Sequence, residues 1–474
     1  MDTSPPTSDL TPILLSKLKR YDSGRHALIA GEGTLKHVAP EDAPVLREMR
    51  GFRTTAEIAA ALGTTEESVR ETYERYAGDQ FLVPLHRWNK LHWNQREHLY
   101  VNELDAALRD PSLVQVPLSP PCDPWFCTGV ERDWLRGLIE RRLGRALPPD
   151  TLLLANNGLS DGVFFWEVVA HGRVVMRIDF TGEREEEWTI GYTSAFEEVD
   201  WSFSVTGDET EERDRHIRAN AAALDRLALD SVMLIEEICS RDLGLPLLYF
   251  SGGKESIVTM HLFKRAGVKA QLLFAGVGMD FPEDEAFIEQ LAGFLRGPEY
   301  RDLFQLHIEP GDQALARQLL ETEGKLEPSN MWCRSKLKYP IRNGAVERLY
   351  PDGVPIAFEG SRWYENDFRR SHPRVNFVTG IEGYRNSQQI WAHAVADWNG
   401  FDIWSYIHTY DLPVNPLYGL GYQRTTCWSC PLVNPFHIDQ SRRQHPELWS
   451  TIDGSRLVGF ERAELPLLPT ETPF

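Results

Sequence analysis

The chain has 474 residues and a formal charge of −20, so it exceeds one ordinary hydrophobic core and carries the wrong sign for a large nucleic-acid footprint. A hydrophobic share of 42% against 25% charged residues is that of a globular protein, and no apolar run is long enough to span a bilayer. The opening Met-Asp-Thr-Ser-Pro-Pro lacks the basic and apolar segments of a signal peptide, which points to the cytoplasm; six cysteines in so long a chain then suit metal binding or chemistry better than a disulfide framework.

Residues 1–90 carry two helix signals in tandem. Thr54-Thr-Ala-Glu57 and Thr64-Thr-Glu-Glu67 read as capping boxes, Gly63 ends the first helix, and Gly78 ends the second before the apolar run Phe81-Leu-Val83. The pattern predicts a small winged-helix-like unit. Its second helix, over 65–79, sets Glu66, Glu67, Glu71, Glu74 and Asp79 against Arg70 and Arg75, which makes it a poor reader of DNA. The stretch 52–62, Phe-Arg-Thr-Thr-Ala-Glu-Ile-Ala-Ala-Ala-Leu, resembles the helix entry of the peptide-binding winged helices that recruit precursor peptides to modifying enzymes; a purely structural helical domain fits the same residues.

Residues 91–150 read as a helical connector rich in Trp, Pro and Arg, and include Cys122-Asp-Pro-Trp-Phe-Cys127. Over 151–210, runs such as Thr151-Leu-Leu-Leu-Ala and Val174-Val-Met-Arg-Ile-Asp-Phe predict a small β-rich domain. An acidic stretch, Thr206 to Arg215, reads as a linker or solvated helix start. Ala219 to Cys239 predicts a long helix with Cys239 in its core face.

From Leu247 onward, strand and helix patterns alternate. Strands are expected at 247–250, 270–274, 303–308 and 355–358, with helices ending at Ala266, spanning Glu283–Leu295 and starting at Asp312. Helical crossovers of that length mean a parallel sheet, and so an α/β domain over 220–445 followed by a tail at 446–474.

The first of these strands runs straight into Ser251-Gly252-Gly253-Lys254-Glu255-Ser256. Glycines allow close backbone approach, and the first amides of the following helix lack intrahelical partners, so the turn suits phosphate. The Walker A spacing cannot be laid over it. The segment resembles instead the PP-loop, Ser-Gly-Gly-x-Asp-Ser, of enzymes that split ATP between its α and β phosphates, with Glu255 at the usual Asp position.

Four further segments follow in the order of the phosphoadenosine phosphosulfate (PAPS) reductase family, a branch of the PP-loop enzymes. They are Gly278-Met-Asp280-Phe-Pro-Glu283; Trp332-Cys333-Arg334-Ser-Lys336-Leu-Lys338-Tyr-Pro340; Gly360-Ser-Arg362-Trp-Tyr-Glu365-Asn-Asp-Phe-Arg369; and a long block from Asp397 through Asn415-Pro-Leu-Tyr418 to Cys427-Trp-Ser-Cys430. The resemblance covers about residues 225–440. It implies a catalytic role for Lys254, Glu255 and Arg362, and nucleotide contacts from Ser251, Gly252, Gly253, Lys254, Glu255, Ser256, Asp280, Lys336, Arg362 and Arg369. An acidic N-cap fits Asp280 equally well, and Glu365 is expected to orient an arginine.

Cys333, Cys427 and Cys430 are the metal candidates. By the same resemblance they hold a 4Fe-4S cluster with one iron open; closure by Cys122 or Cys127, zinc in place of iron, or thiols that hold no metal are the alternatives. The nucleophilic tail cysteine of the thioredoxin-dependent reductases has no counterpart, since no cysteine follows Cys430. The expected activity is therefore ATP- and magnesium-dependent adenylation of a substrate followed by sulfur insertion. A sulfite-releasing reductase and a non-catalytic recruitment module are the rivals. Expected partners are a small-molecule or peptide substrate and a protein that donates sulfur or electrons, with no nucleic acid and no membrane.

Overall fold

The computed structural model describes residues 10, 12–14, 17–20, 25–29, 35–49, 54–78, 81–84, 123–157, 164–179, 189–240, 244–324, 326–327, 330–351, 356–365, 369, 372, 374–379, 388–425, 427–433 and 435–450. Most of the expected connector, the whole of 451–474 and Cys122 lie outside them. The chain divides into two compact units, residues 1–95 with 237–243, and residues 96–236 with 244–474. No described helix is long and apolar enough to cross a membrane.

In the first unit, strands β1 (Pro12–Leu14), β2 (Lys17–Arg20), β3 (His26–Ile29) and β4 (Leu35–Val38) precede helices Ala43–Glu48, Thr55–Leu62 and Glu66–Tyr76, and β5 (Leu82–Pro84) returns to pair with β1. The antiparallel meander β2-β3-β4 was not foreseen. Thr54 and Glu57 form the expected reciprocal capping box, and Gly63 closes that helix at φ +64°. The second cap falls one residue later than predicted: Thr65 accepts from the Ser68 amide, and Ala77, not Gly78, ends the helix. Leu28, Leu46, Ile58, Val69 and Leu82 fill the core.

The second unit contains two sheets. The first is antiparallel, in the order β10-β9-β8-β7-β6, with β6 at Pro124–Phe126, β7 at Leu152–Asn157, β8 at Phe164–Ala170, β9 at Arg173–Asp179 and β10 at Thr189–Tyr192. Helix Gly129–Leu143 packs Leu135, Leu138 and Ile139 on it. The β-rich part therefore starts by residue 123, ahead of the expected boundary at 151, because Trp125 and Phe126 pair with Ala155 and Leu154.

The second sheet is the α/β one, ordered β13-β12-β11-β14-β16-β15. Here β11 is Leu247–Tyr249, β12 Ala270–Ala275, β13 Phe304–Glu309, β14 Ile356–Glu359, β15 Val375–Thr379 and β16 Gln388–Ala392. The first five in that spatial order run parallel and β15 runs antiparallel to β16. Leu247, Leu248, Leu272, Ala357 and Phe358 are buried, as central parallel strands require. The connection direction reverses between β11 and β14, and Tyr249 lies level with Glu359, so the loops after these strands open side by side. Sheets of this kind bind ligands at such a crevice.

Candidate active site

The turn after β11 is shaped by two glycines. Gly252 sits at φ +73°, and a Cβ there would lie 2.7 Å from Ile288 Cδ1. Gly253 caps helix Lys254–Ala266 without a side-chain bond, and a Cβ on it would meet Thr425 Oγ1 at 2.9 Å. Ser256 Oγ donates to the Gly253 carbonyl at 2.8 Å, and the Gly253 amide donates to Ser251 Oγ at 3.2 Å, which holds the turn open.

Lys254 is buried. Its amide donates to Tyr418 Oη at 2.9 Å and its ammonium to the Gln423 carbonyl at 2.9 Å, with Glu255 Oε1 3.1 Å away. Burial pulls the Lys254 pKa down, but Glu255 and Tyr418 outweigh it and keep the ammonium charged. Burial likewise pushes Glu255 up, and Lys254 and Arg362 outweigh that to hold it at about 2.

Arg362 is 2% exposed and its fork is filled. It donates to Asp123 Oδ1 and Oδ2 at 2.6 and 3.0 Å, and to Glu255 Oε1 from Nε and Nη2 at 3.1 and 2.9 Å. Gly360 permits this pairing, because a Cβ there would touch Glu255 at 3.0 Å. The arginine expected to grip a nucleotide thus holds two carboxylates, and the longer Glu255 reaches it. Glu365 accepts the Arg362 amide at 2.9 Å, pairs with Arg369 and stands 3.6 Å from Arg424, in the orienting position expected of it.

Asp280 Oδ2 accepts the amides of Val277 and Gly278 at 2.7 and 3.2 Å, so it braces its own loop, and burial raises its pKa. Lys336 pairs with Glu323 at 2.6 Å and is half-exposed, on a single π-helical turn, Arg334–Lys338. Cys333 and Cys427 share one apolar cluster with Trp332 and Trp428. Burial pushes Cys427 well up, aided by Asp280, Cys430 and Cys333; burial and Cys430 raise Cys333. The Cys427 thiol thus lies within electrostatic reach of Cys333, Cys430 and Asp280.

Among the described residues, however, no group of three or more His, Cys, Asp or Glu side chains stands in metal-binding geometry, so these residues as placed do not fit a 4Fe-4S cluster or a zinc ion. Cys127 does not join them: it is buried in the core of the β-rich sheet, where burial raises its thiol. Cys239 is half-buried at the end of helix Ala221–Cys239, and burial pushes it up to about 12.

Sequence reasoning missed Asp123, Glu131, Tyr418 and Gln423. Glu131 is 1% exposed, accepts Trp166 Nε1 at 2.9 Å and Gln423 Nε2 at 3.3 Å, and lines a cavity of about 190 Å³ that reaches Lys254. Burial outweighs those two donors and raises Glu131 to about 7.

Residues 246–433 match the sequence model of the phosphoadenosine phosphosulfate reductase domain. The chain is 26% identical to an uncharacterised protein of Methanocaldococcus jannaschii over half its own length and 46% of that relative's, so it spans about half of that protein. It is 26% identical to the sulfate adenylyltransferase subunit 2 of Burkholderia lata, over 41% of this chain and 67% of that one. A crystal structure of PAPS reductase from Candida auris in a phosphate complex aligns at a TM-score of 0.27 and 16% identity, covering 38% of this chain and 81% of that one.

Proposed function

We propose, from the match of residues 246–433 to the phosphoadenosine phosphosulfate reductase domain, that this chain is an ATP-dependent sulfur-transfer enzyme. The observation that carries the proposal is the buried Lys254 ammonium on the glycine turn, which lines a cavity of about 190 Å³ and binds the Gln423 carbonyl, four residues before Cys427. MgATP enters as substrate with its phosphates on Ser251 to Ser256. A carbonyl oxygen of the acceptor attacks the α-phosphorus, the bond to the α–β bridging oxygen breaks, and pyrophosphate leaves. Lys254 neutralises the charge that develops there.

Sulfur, delivered as hydrosulfide by a donor protein, then attacks the activated carbon, and AMP departs with the oxygen. Cys333, Cys427 and Cys430 are the sulfur-handling groups, and no step is routed through a metal. The acceptor is a small molecule or a peptide; in the peptide case, the first unit is the recruiting element.

Incubation of the chain with labelled ATP, hydrosulfide and candidate acceptors tests this. AMP and pyrophosphate are expected, and ADP as the sole nucleotide product would rule the proposal out. The family name favours a second reading, reduction of a sulfonucleotide, for which sulfite release from PAPS or adenylyl sulfate with a dithiol is the distinguishing product.

A further inference from the structure

We propose that the cavity between the β-rich sheet and the segment 414–423 is the acceptor site, and that it takes a planar amide, a carbonyl whose neighbouring nitrogen bears a hydrogen. This rests on the ATP-dependent reading above and adds the substrate class. Part of the cavity's lining, Asp123, Trp125, Phe126, Thr128 and Glu131, comes from outside the stretch 246–433 that matches the family's sequence model.

Three features set the ligand's shape and polarity. The cavity holds about 190 Å³, enough for a small ring or a single side chain, and its apolar wall includes Trp125 and Trp404, stacked at 5.0 Å and 16°. Aromatic walls of this kind favour flat ligands. At one end lies Lys254, a donor that attracts an oxygen and stands on the phosphate turn.

Alongside the lining groups Thr128, Arg213 and His408, the cavity carries two acceptors that matter for the ligand. Gln423 Nε2 donates to Glu131 Oε1, so Gln423 Oε1 must accept, yet it is buried and has no hydrogen-bond partner among the described residues. Burying such an acceptor unpaired is costly, and a ligand N–H relieves it. Glu131 adds a second acceptor whose carboxyl sits among the neutral donors Trp166 and Gln423. A site with oxygen-seeking Lys254 at one end and N–H-seeking Gln423 and Glu131 at the other matches an N–H beside a C=O. Gln423 links the two ends, since its backbone carbonyl binds Lys254 and its side chain binds Glu131.

The probes are 2-pyridone, a planar ring amide, and N-methyl-2-pyridone, which lacks the N–H. Their binding to the full chain is measured calorimetrically with α,β-methylene-ATP present, a nucleotide that cannot be cut at the α–β position. The expected result is at least about tenfold tighter binding of 2-pyridone. That preference should vanish in Gln423→Met and in Glu131→Ala, with far-ultraviolet circular dichroism confirming that each variant is folded. Equal affinity for the two probes, a preference unchanged in both variants, or displacement of 2-pyridone by adenosine overturns the proposal. Failure of α,β-methylene-ATP to bind while the pyridone preference persists sinks the ATP reading and leaves the amide site standing.

Discussion

Arg362 and Asp123 are joined by two parallel N–H···O bonds of 2.6 and 3.0 Å across 239 residues of sequence. The contact ties the first strand of the β-rich sheet to the loop after β14, and Gly400 donates its amide to the same carboxylate. Both side chains are buried, so each charge depends on the other for its compensation.

Asp123→Asn should therefore destabilise the second unit by roughly 3 kcal/mol, the cost of leaving a buried charge short of its partner. Urea unfolding followed by tryptophan fluorescence reads this directly. A change smaller than about 0.5 kcal/mol would show that Glu255 alone suffices for Arg362.

Lys254→Met should lower the rate of AMP formation by about 10²–10³-fold, the scale on which a single charge-stabilising donor contributes, while far-ultraviolet circular dichroism stays unchanged. Retention of activity within about threefold would move the phosphate site elsewhere.

The carboxyls of the site pull stability in opposite directions with pH. Glu131 is raised from 4.5 to about 7, so the folded state binds its proton more tightly than the unfolded chain does. The stability this confers is complete below about 4.5 and is lost as pH rises to about 7. Glu131→Gln should consequently gain stability relative to the native chain across that window and show no further change above it. Glu255, held down from 4.5 to about 2, behaves inversely and contributes above about 4.5. Parallel melting curves of the Glu131→Gln variant and the native chain from pH 4 to 8 provide the check; a constant difference would refute the assignment.

Serine at Cys333, Cys427 or Cys430 should abolish sulfur incorporation but leave the release of pyrophosphate within about threefold of the native rate, since the thiols act after activation. Equal loss of both activities would place them in the first step instead.

The alternating strands and helices from Leu247 onward, and the turn at Ser251 to Ser256, were legible because continuous apolar runs and glycine spacing are local signals. The strands and helices fall within a residue or two of expectation, as with Pro282–Phe294 against a predicted Glu283–Leu295. Asp123 and Glu131 were not legible: nothing in Asp-Pro-Trp-Phe announces a partner 239 residues on, and a three-residue strand has no periodicity to read. Strands β15 and β16 were missed likewise. The three cysteines were expected as metal ligands, a geometry absent among the described residues, and the filled fork of Arg362 was not legible, since only folded geometry shows which acceptor reaches it first.

The hold that Gln423 has on Lys254 also joins two parts of the site. The ammonium has three N–H donors and commits one of them to the Gln423 carbonyl, so a phosphate on the turn would share a cation with a residue that also lines the neighbouring cavity. Under the ATP-dependent reading proposed above, phosphate binding and the polarity of that cavity would then vary together.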